Sequence, residues 1–185
     1  MRTGCTLNFF WKGKMNSESS AEKARSAEIV IHHFFSDLVG WLELQASKDG
    51  VRSISFVEAP ESLSAASDDP VISELLMQLD AYFAGELTEF SIPLAPPGGT
   101  LFQRRVWDRL MAIPYGETRS YGEIAVEVGV PKGARAVGLA NKKNFLPIVI
   151  PCHRVIRSNG DLGGYDSGVA IKQKLLQFES RKNRH

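Results

Sequence analysis

Residues 120–142 read SYGEIAVEVGVPKGARAVGLANK, and this stretch decides how the second half of the chain folds. Ser120 and Glu123 have the spacing of a capping box, and the apolar residues after them predict a short helix that ends at Gly129. A further helix is predicted over residues 134–142. Two short helices joined by a tight glycine turn are the outline of a helix-turn-helix.

The second of these helices is unusually rich in small residues. Residues 134–140 read ARAVGLA, with Arg135 as the one long polar side chain. A helix that reads base edges usually carries several long polar residues, so this one is suited to bring its backbone close to a nucleic-acid groove. A helix packed tightly against another helix has the same composition, and both interpretations remain open.

A candidate nucleophile follows in residues 150–156, IPCHRVI. A thiolate is the strongest nucleophile among ordinary side chains, and a neighbouring imidazole or guanidinium can lower the pKa of Cys152. The alternative is a small buried hydrophobic residue, although a strand that only packs a core seldom has Pro, His and Arg around its cysteine. Strand alternation would direct His153 away from Cys152, so cooperation requires the chain to turn near Pro151.

Two more helices flank these motifs. Thr100 and Gln103 form a second capping box, which starts a helix that runs to about Ala112. The closing helix is predicted over residues 169–180. Apolar residues at helical spacing mark one face of each helix: Phe102, Val106 and Leu110 in the first, and Ile171, Leu175 and Phe178 in the second.

The first half of the chain predicts a small sheet covered by one helix. Residues 29–35, 41–46 and 51–57 are β-rich, and Asp49-Gly50 between the last two favours a hairpin turn. Pro70 opens a helix that ends at Gly85. The apolar face of that helix is predicted to contain Val71, Leu75, Leu76, Leu79 and Phe83.

These elements predict an α+β protein with a small N-terminal sheet and helix, then a mainly helical C-terminal domain with a helix-turn-helix. Residues 92–99 hold three prolines and two glycines, which predicts that this segment has no regular structure and that it marks the domain boundary. We therefore divide the chain into an N-terminal tail (1–14), an N-terminal α/β domain (15–91), a linker (92–99), a C-terminal domain (100–180) and a basic tail (181–185).

Charge is distributed unevenly over the chain, although its net charge is +1. Residues 1–100 contain 7 Lys and Arg against 14 Asp and Glu, whereas residues 101–185 contain 15 against 7, giving net charges of −7 and +8. One basic domain is typical of proteins in which a single domain faces a polyanion such as DNA, and ordinary solvated surface charge is the alternative.

Cysteine content and hydropathy exclude several classes. Cys5 and Cys152 are the only two cysteines and show no CxxC spacing, which argues against a disulfide framework or a zinc site and favours a reducing compartment. The apolar run in the first 14 residues is too short for a signal peptide or a membrane span.

The second half of the chain closely resembles the O6-alkylguanine-DNA alkyltransferases, also called methylated-DNA-protein-cysteine methyltransferases. The similarity extends in order over about residues 100–180, and the N-terminal sheet is compatible with the ribonuclease H-like domain of that family. The motifs that carry it are Ile113-Pro-Tyr-Gly-Glu-Thr-Arg-Ser-Tyr-Gly122, Arg135-Ala-Val-Gly138, Asn144, Pro151-Cys-His-Arg-Val155, Gly163-Gly-Tyr165, Lys172, Leu175-Leu176 and Glu179.

The resemblance implies a single-turnover DNA repair protein. Such a protein extrudes O6-alkylguanine from the duplex and moves the alkyl group irreversibly and stoichiometrically onto its own Cys152, with O4-alkylthymine as a further candidate substrate. The implied partner is double-stranded DNA containing O6-alkylguanine. The resemblance implies no cofactor, no metal, no membrane and no obligate protein partner, and we expect a monomer in the cytoplasm, or in the nucleus of a eukaryotic source.

The resemblance also assigns roles to individual residues. For DNA, Arg135 would fill the space left in the base stack, Tyr121 would press on the neighbouring phosphate, and Gly138 and Ser158 would lie at the duplex. For transfer, His153 would reach the Cys152 thiol through a water molecule, Glu179 would orient His153, and Asn144 would hold the turn. Tyr121 could also donate a proton to the leaving guanine. Tyr165, Asp166 and the backbone at Cys152 and Val155 would line the guanine pocket.

Two positions depart from the common family pattern, and three other functions remain open. Phe145 stands where many relatives have proline and Asp166 where some have serine, which could change the shape of the pocket. A damage-binding relative without transfer would lack the cysteine that is present here. A helix-turn-helix regulator would not explain the Pro-Cys-His-Arg segment. A cysteine hydrolase using Cys152, His153 and Asn144 would turn over repeatedly, whereas an alkyl acceptor reacts once.

Overall fold

A computed structural model of the chain describes residues 29–62, 67–95 and 98–182. Its N-terminal part contains an antiparallel sheet in the order β1 (Val30–Ser36), β2 (Gly40–Ser47) and β3 (Gly50–Val57). Alternate residues such as Leu42, Leu44 and Ile54 are buried, as expected for a sheet with one covered face. The three predicted strands and the hairpin between β2 and β3 are thus confirmed.

A single helix, α1 (Pro70–Phe83), covers the buried face of the sheet. Asp69 caps it by accepting hydrogen bonds from the backbone N–H groups of Val71 and Ile72, each at 2.9 Å. The predicted face was partly wrong. Ile72 and Tyr82 are fully buried, whereas Val71, Leu76 and Phe83 are only half-buried, so the buried stripe is centred on Leu75 and Leu79 with Ile72 and Tyr82 at its ends.

Residues 92–95 contain more regular structure than the prolines in and after this segment suggest. Leu94 forms a parallel bridge with Val51, in which the N–H of Val51 donates to the carbonyl of Pro93 and the N–H of Ala95 donates to the carbonyl of Val51, both at 2.9 Å. The prediction that this segment has no regular structure was therefore wrong at Leu94. β2 leaves the backbone groups on one edge of β3 unpaired. Leu94 pairs with this edge although prolines flank it in the sequence.

The C-terminal part contains four helices: α2 (Leu101–Met111), α3 (Tyr121–Glu127), α4 (Ala134–Lys142) and α5 (Val169–Lys182). Both predicted capping boxes are present, at Thr100 and at Ser120. Helices α2, α3 and α4 pack on one another, and the indole N–H of Trp107 donates to the carbonyl of Ala140 at 3.0 Å. The predicted α+β fold class is confirmed.

Two details of this part were not predicted. α5 continues to Lys182, so the first two residues of the predicted basic tail are helical. Two short parallel strands, β4 (Arg119–Ser120) and β5 (Val155–Ile156), are too brief for any periodic signal. Their pairing places the start of α3 directly beside the segment that follows Cys152.

Several predictions concern residues outside the described ranges. The N-terminal tail (1–14) with Cys5, and residues 183–185 of the basic tail, belong to these. Within the described ranges, no helix is long and apolar enough to span a membrane. Those ranges also contain no cluster of three or more metal-binding side chains.

Candidate active site

The chain turns sharply just before Cys152, as cooperation between Cys152 and His153 requires. Pro151 has φ −80° and ψ 63°, and the N–H of Cys152 donates to the carbonyl of Ile150 at 2.7 Å. These are the features of an inverse γ-turn. A short 3-10 helix, Cys152–Arg154, follows it and replaces strand alternation with a helical arrangement of the three side chains.

Asn144 holds the loop that leads to Cys152. Its side-chain carbonyl accepts the N–H of Leu146 at 3.0 Å, and its side-chain NH₂ donates to the carbonyl of Ile150 at 2.8 Å. The same NH₂ group donates to the Cys152 sulfur at 3.1 Å. One amide therefore fixes the loop and also places a donor on the sulfur, where it favours the thiolate.

The Cys152 thiol is almost fully buried, with 6% of the residue exposed. Burial raises the pKa of Cys152, while the hydrogen bond from Asn144, the neighbouring Tyr165 hydroxyl and the positive charge of Lys172 act in the opposite direction. The thiol is consequently protonated at neutral pH in the free protein. Reaction at this sulfur requires a group that removes the proton.

His153 is fully buried and has a carboxylate partner. Its Nε2 lies 2.9 Å from Oε1 of Glu179, and because an ionised carboxylate only accepts, Nε2 carries the proton. Burial lowers the pKa of His153 and outweighs the opposing effect of Glu179, so the ring is neutral at pH 7. Its other nitrogen, Nδ1, has no hydrogen-bond partner among the described residues and is the basic atom of the ring.

Five hydrogen bonds from the described residues converge on the fully buried Glu179 carboxylate. Besides His153, the donors are the Tyr82 hydroxyl at 2.7 Å, the Gly116 N–H at 3.1 Å, and Nε and an NH₂ group of Arg154 at 2.9 and 3.0 Å. Burial alone would raise the pKa of Glu179, but the hydrogen bonds from His153 and Arg154 and the positive charge of Arg154 prevail and hold it far below its usual value.

The sequence suggested Arg154 only as a neighbour that lowers the pKa of Cys152, whereas the structure pairs it with Glu179, and Tyr82 was not recognised at all. Arg154 forms a two-pronged ion pair with Glu179, donates to the carbonyl of Ile113 at 2.6 Å, and lies 5.6 Å from the centre of the Tyr115 ring. The sequence signal for Arg154 was its position directly after His153. Tyr82 had no signal, because it belongs to the N-terminal helix α1, 97 residues away from its partner.

Lys172 is a third buried group whose position the sequence did not reveal. Its ammonium donates to the carbonyls of Val155 and Leu162 and lies 5.8 Å from the centre of the Tyr121 ring. Burial lowers the pKa of Lys172 to about 8, against a smaller opposing effect of Cys152. The side chain ties both ends of the loop after β5 to α5.

Most of the predicted site residues surround one cavity of about 1080 Å³. Cys152 lies in its wall, and α4 forms its rim with the exposed Arg135 and with Gly138. Four further predicted residues line it: Tyr121, Asn144, Tyr165 and Asp166.

Four predicted residues do not line the cavity. His153 and Glu179 are among them, and both are fully buried. Val155 is fully buried behind the cavity wall, where its carbonyl accepts from Lys172, and Ser158 is exposed on the turn that follows β5. Asp166 is exposed at the mouth and lies 3.7 Å from the ammonium of Lys142 on α4.

Tyr121 is held at the cavity by close backbone contacts. A Cβ added to Gly163, which has φ +69°, would lie 3.1 Å from Cε2 and 3.2 Å from the hydroxyl of Tyr121. A Cβ on Gly138 of α4 would lie 3.8 Å from the same ring. Burial raises the pKa of Tyr121, so its hydroxyl stays protonated and able to donate.

Fold and site together define a two-part protein in which a helix-turn-helix region and a buried thiol–imidazole–carboxylate cluster share one cavity. Family models match both parts: "6-O-methylguanine DNA methyltransferase, DNA binding domain" over residues 101–181, and "6-O-methylguanine DNA methyltransferase, ribonuclease-like domain" over residues 30–96. The chain belongs to the 6-O-methylguanine DNA methyltransferase family.

Individual relatives agree with this assignment. The methylated-DNA–protein-cysteine methyltransferase of Methanosarcina acetivorans is 46% identical over 154 residues, which is 81% of this chain and 98% of the relative. That of Mycobacterium leprae is 54% identical over 123 residues, 66% of this chain and 74% of the relative. Among solved structures, Mycobacterium tuberculosis OGT in complex with DNA superimposes with a TM-score of 0.73 at 45% identity, covering 82% of this chain and 93% of that one.

Proposed function

We propose that this chain repairs DNA by transferring the alkyl group of O6-alkylguanine to its own Cys152, irreversibly and once per molecule. The observation that carries the proposal is the placement of one buried sulfur in the wall of a cavity whose rim is the second helix of a helix-turn-helix. The relatives named methylated-DNA–protein-cysteine methyltransferases support the same reaction class.

The lesion reaches the thiol only when its nucleotide leaves the base stack. Cys152 is buried inside the protein, and an alkyl group on a paired base is equally inaccessible, so the nucleotide must be extruded at a cost of a few kcal/mol. The small residues of α4 allow its backbone to approach a groove. Arg135 extends from the exposed face of α4 and occupies the vacated position in the stack, while Tyr121 meets the adjacent phosphate.

Ser158 is the remaining DNA contact of this proposal, because it is exposed to solvent. Ser158 lies on an exposed turn in which the N–H of Gly160 donates to the carbonyl of Arg157 at 3.0 Å. A hydroxyl at such a turn is suited to a phosphate oxygen, which fixes the protein on the duplex without reading its sequence.

The thiol is activated by His153 through a bridging water molecule. The Nε2 proton is committed to Glu179, so Nδ1 accepts a proton from the water as the water takes one from Cys152. Arg154 and Tyr82 keep the Glu179 carboxylate ionised and fixed in direction. Asn144 donates to the sulfur and stabilises the thiolate as it forms.

The transfer then balances without any other reactant. A bond forms between the Cys152 sulfur and the alkyl carbon, and the bond between that carbon and O6 breaks. The electron pair returns to the guanine ring, and the protonated Tyr121 hydroxyl supplies the proton that the leaving base requires. The proton that His153 accepted then passes through water to the Tyr121 oxygen, which leaves His153 neutral again, and the product is S-alkylcysteine with unmodified guanine. No cofactor enters this scheme.

The guanine pocket is formed by Tyr165 and Asp166 with the backbone around Cys152 and Val155. Tyr165 is the inner wall, next to the thiol, whereas the exposed Asp166 is at the mouth. Val155 acts through its backbone, because its side chain faces the core.

Three broader proposals accompany the reaction. The boundary between the two domains lies in residues 92–99. The protein acts as a monomer on duplex DNA, because one molecule contains every group that the scheme uses. We place it in the cytoplasm, where a reducing environment keeps the thiol of Cys152 unoxidised.

The test is the intact mass of the protein after incubation with duplex DNA that contains O6-methylguanine. The wild type should gain one methyl group in exchange for one hydrogen, up to one equivalent per molecule, and Cys152→Ala should gain nothing. Undamaged duplex of the same sequence is the substrate control. Binding without a mass gain would identify a damage-binding protein, and repeated product release from one molecule would identify a hydrolase.

A further inference from the structure

The N-terminal sheet forms part of the wall of the reaction cavity. Residues 53–58 of β3 and its continuation line the cavity opposite α4. This edge of β3 is fixed to the C-terminal part, because the N–H of Ile54 donates to the carbonyl of Phe145 at 2.9 Å. The sheet is therefore held in place at the cavity by the loop that leads to Cys152.

Phe56 is the residue of this wall that contacts the predicted guanine pocket. Its ring meets that of Tyr165 edge to face, with centroids 6.3 Å apart and an interplanar angle of 72°. This is a favourable aromatic geometry, and such a pair stabilises the two rings beyond the area that it buries. Phe56 also lines the cavity itself, so it bounds the same space from a second direction.

The backbone of Tyr165 is held on its C-terminal side, where its carbonyl accepts the N–H of Gly168 at 3.0 Å, and the contact with Phe56 adds a constraint on the ring itself. Tyr165 follows Gly163 and Gly164 in a loop, and glycines leave the backbone before it free to rotate. Lys172 fixes the loop at Leu162, three residues earlier. Past that point, Phe56 is the aromatic ring that Tyr165 packs against among the described residues.

We infer that Phe56 determines the size of the alkyl group that the protein accepts, by fixing the ring of Tyr165 beside the thiol. This inference rests on the proposed alkyl transfer to Cys152. A smaller, flexible side chain at position 56 would widen the cavity and release Tyr165. Methyl transfer would then slow, because the base is less firmly positioned, whereas a bulky group would gain room.

The experiment measures single-turnover transfer rates from duplexes with O6-methylguanine and with O6-benzylguanine. Phe56→Leu should raise the benzyl-to-methyl rate ratio about threefold or more, the size expected when an aromatic contact in a pocket is lost. Phe56→Trp, which adds volume on the same wall, should lower the ratio. Reduced stability would lower both transfer rates by the same factor, so its effect cancels in the ratio.

Phe34→Leu is the matched control. Phe34 belongs to β1 of the same sheet, is 8% exposed, and stacks on Phe83 at 5.8 Å, but it does not line the cavity. Its variant should lose stability and keep the wild-type ratio. An unchanged ratio in Phe56→Leu, or an equal change in Phe34→Leu, would overturn the inference. If the wild type transfers no methyl group at all, it is the proposed function that fails.

Discussion

The carboxylate of Glu179 joins the structural and the reactive parts of this site in a single residue. Replacing it by glutamine keeps its shape but leaves the buried Arg154 guanidinium without a counter-charge. Breaking a buried ion pair in this way costs about 3–5 kcal/mol. We expect Glu179→Gln to lower the free energy of unfolding by that amount in urea titrations, whereas Glu86→Gln, at an exposed position, should leave it unchanged.

Glu179→Gln should also remove a dependence of stability on pH. Because the pKa of Glu179 in the folded protein is well below its usual value of about 4.3, its contribution to stability is fully present above that value. The contribution is lost as pH falls below about 4.3 towards the pKa of the folded state. The stability difference between wild type and Glu179→Gln should therefore shrink on acidification and stay constant from pH 6 to 8.

A substitution at Gly163 tests whether transfer requires the close approach of the backbone to Tyr121. Alanine at this position has an unfavourable positive φ and places its Cβ 3.1 Å from the Tyr121 ring, so the ring must shift. We expect the methyl-transfer rate of Gly163→Ala to fall about tenfold or more, since small displacements at a reacting site have effects of this order. Gly40→Ala is the control, because Gly40 has φ +85° and no atom within 4 Å of the added Cβ. Equal rate losses in the two variants would contradict the role of Tyr121.

For the helices and strands, local sequence signals were sufficient to predict an element wherever a side chain bonds to residues close to it in the chain. Ser120 and Thr100 start helices through side chains that bond three residues ahead, and such caps can be read directly from spacing. The buried face of α1 could not be read in this way, because Ile72 and Tyr82 are buried by partners from other elements. β4 and β5 contain two residues each and exist only as a pair.

The Ser120 cap has a consequence for the reaction because it directly precedes Tyr121. Ser120→Ala removes the acceptor for the Glu123 N–H, now at 3.2 Å, and should cost about 1 kcal/mol of stability. Thr100→Ala should cost a similar amount at the start of α2. Fraying of α3 displaces Tyr121, so we expect only Ser120→Ala to reduce affinity for lesion-containing duplex, as measured by fluorescence anisotropy. The same reduction in both variants would indicate a general loss of stability.

For the whole molecule, the uneven charge predicts how DNA binding responds to salt. In our proposal the duplex binds to the C-terminal part, and residues 101–185 have a net charge of +8 against −7 in residues 1–100. Binding should release several counterions, so a plot of log affinity against log salt should have a slope of about −3 or steeper. Arg135→Ala should weaken binding to lesion-containing duplex more than to undamaged duplex. A salt-independent affinity would argue against a phosphate-bound complex.

The motif in the second half of the chain identified the sulfur and most residues around it, but not the contribution of the first half. Phe56 and Tyr82 reach the site only because β3 and α1 pack on the C-terminal part. Such contacts between distant segments leave no trace in spacing or composition. The sequence thus predicted the positioning residues Asn144 and Glu179 of the C-terminal part and missed Phe56 and Tyr82 of the N-terminal part.

The hydrogen bond from Tyr82 to Glu179 makes the reactive cluster depend on α1, a helix of the N-terminal part. Local opening of α1 would withdraw a donor from the carboxylate and disturb its alignment with His153. Heat inactivation and loss of the N-terminal structure should consequently occur at one temperature. Random mutagenesis that selects for resistance to heat should enrich substitutions in α1 as readily as in α3 and α4.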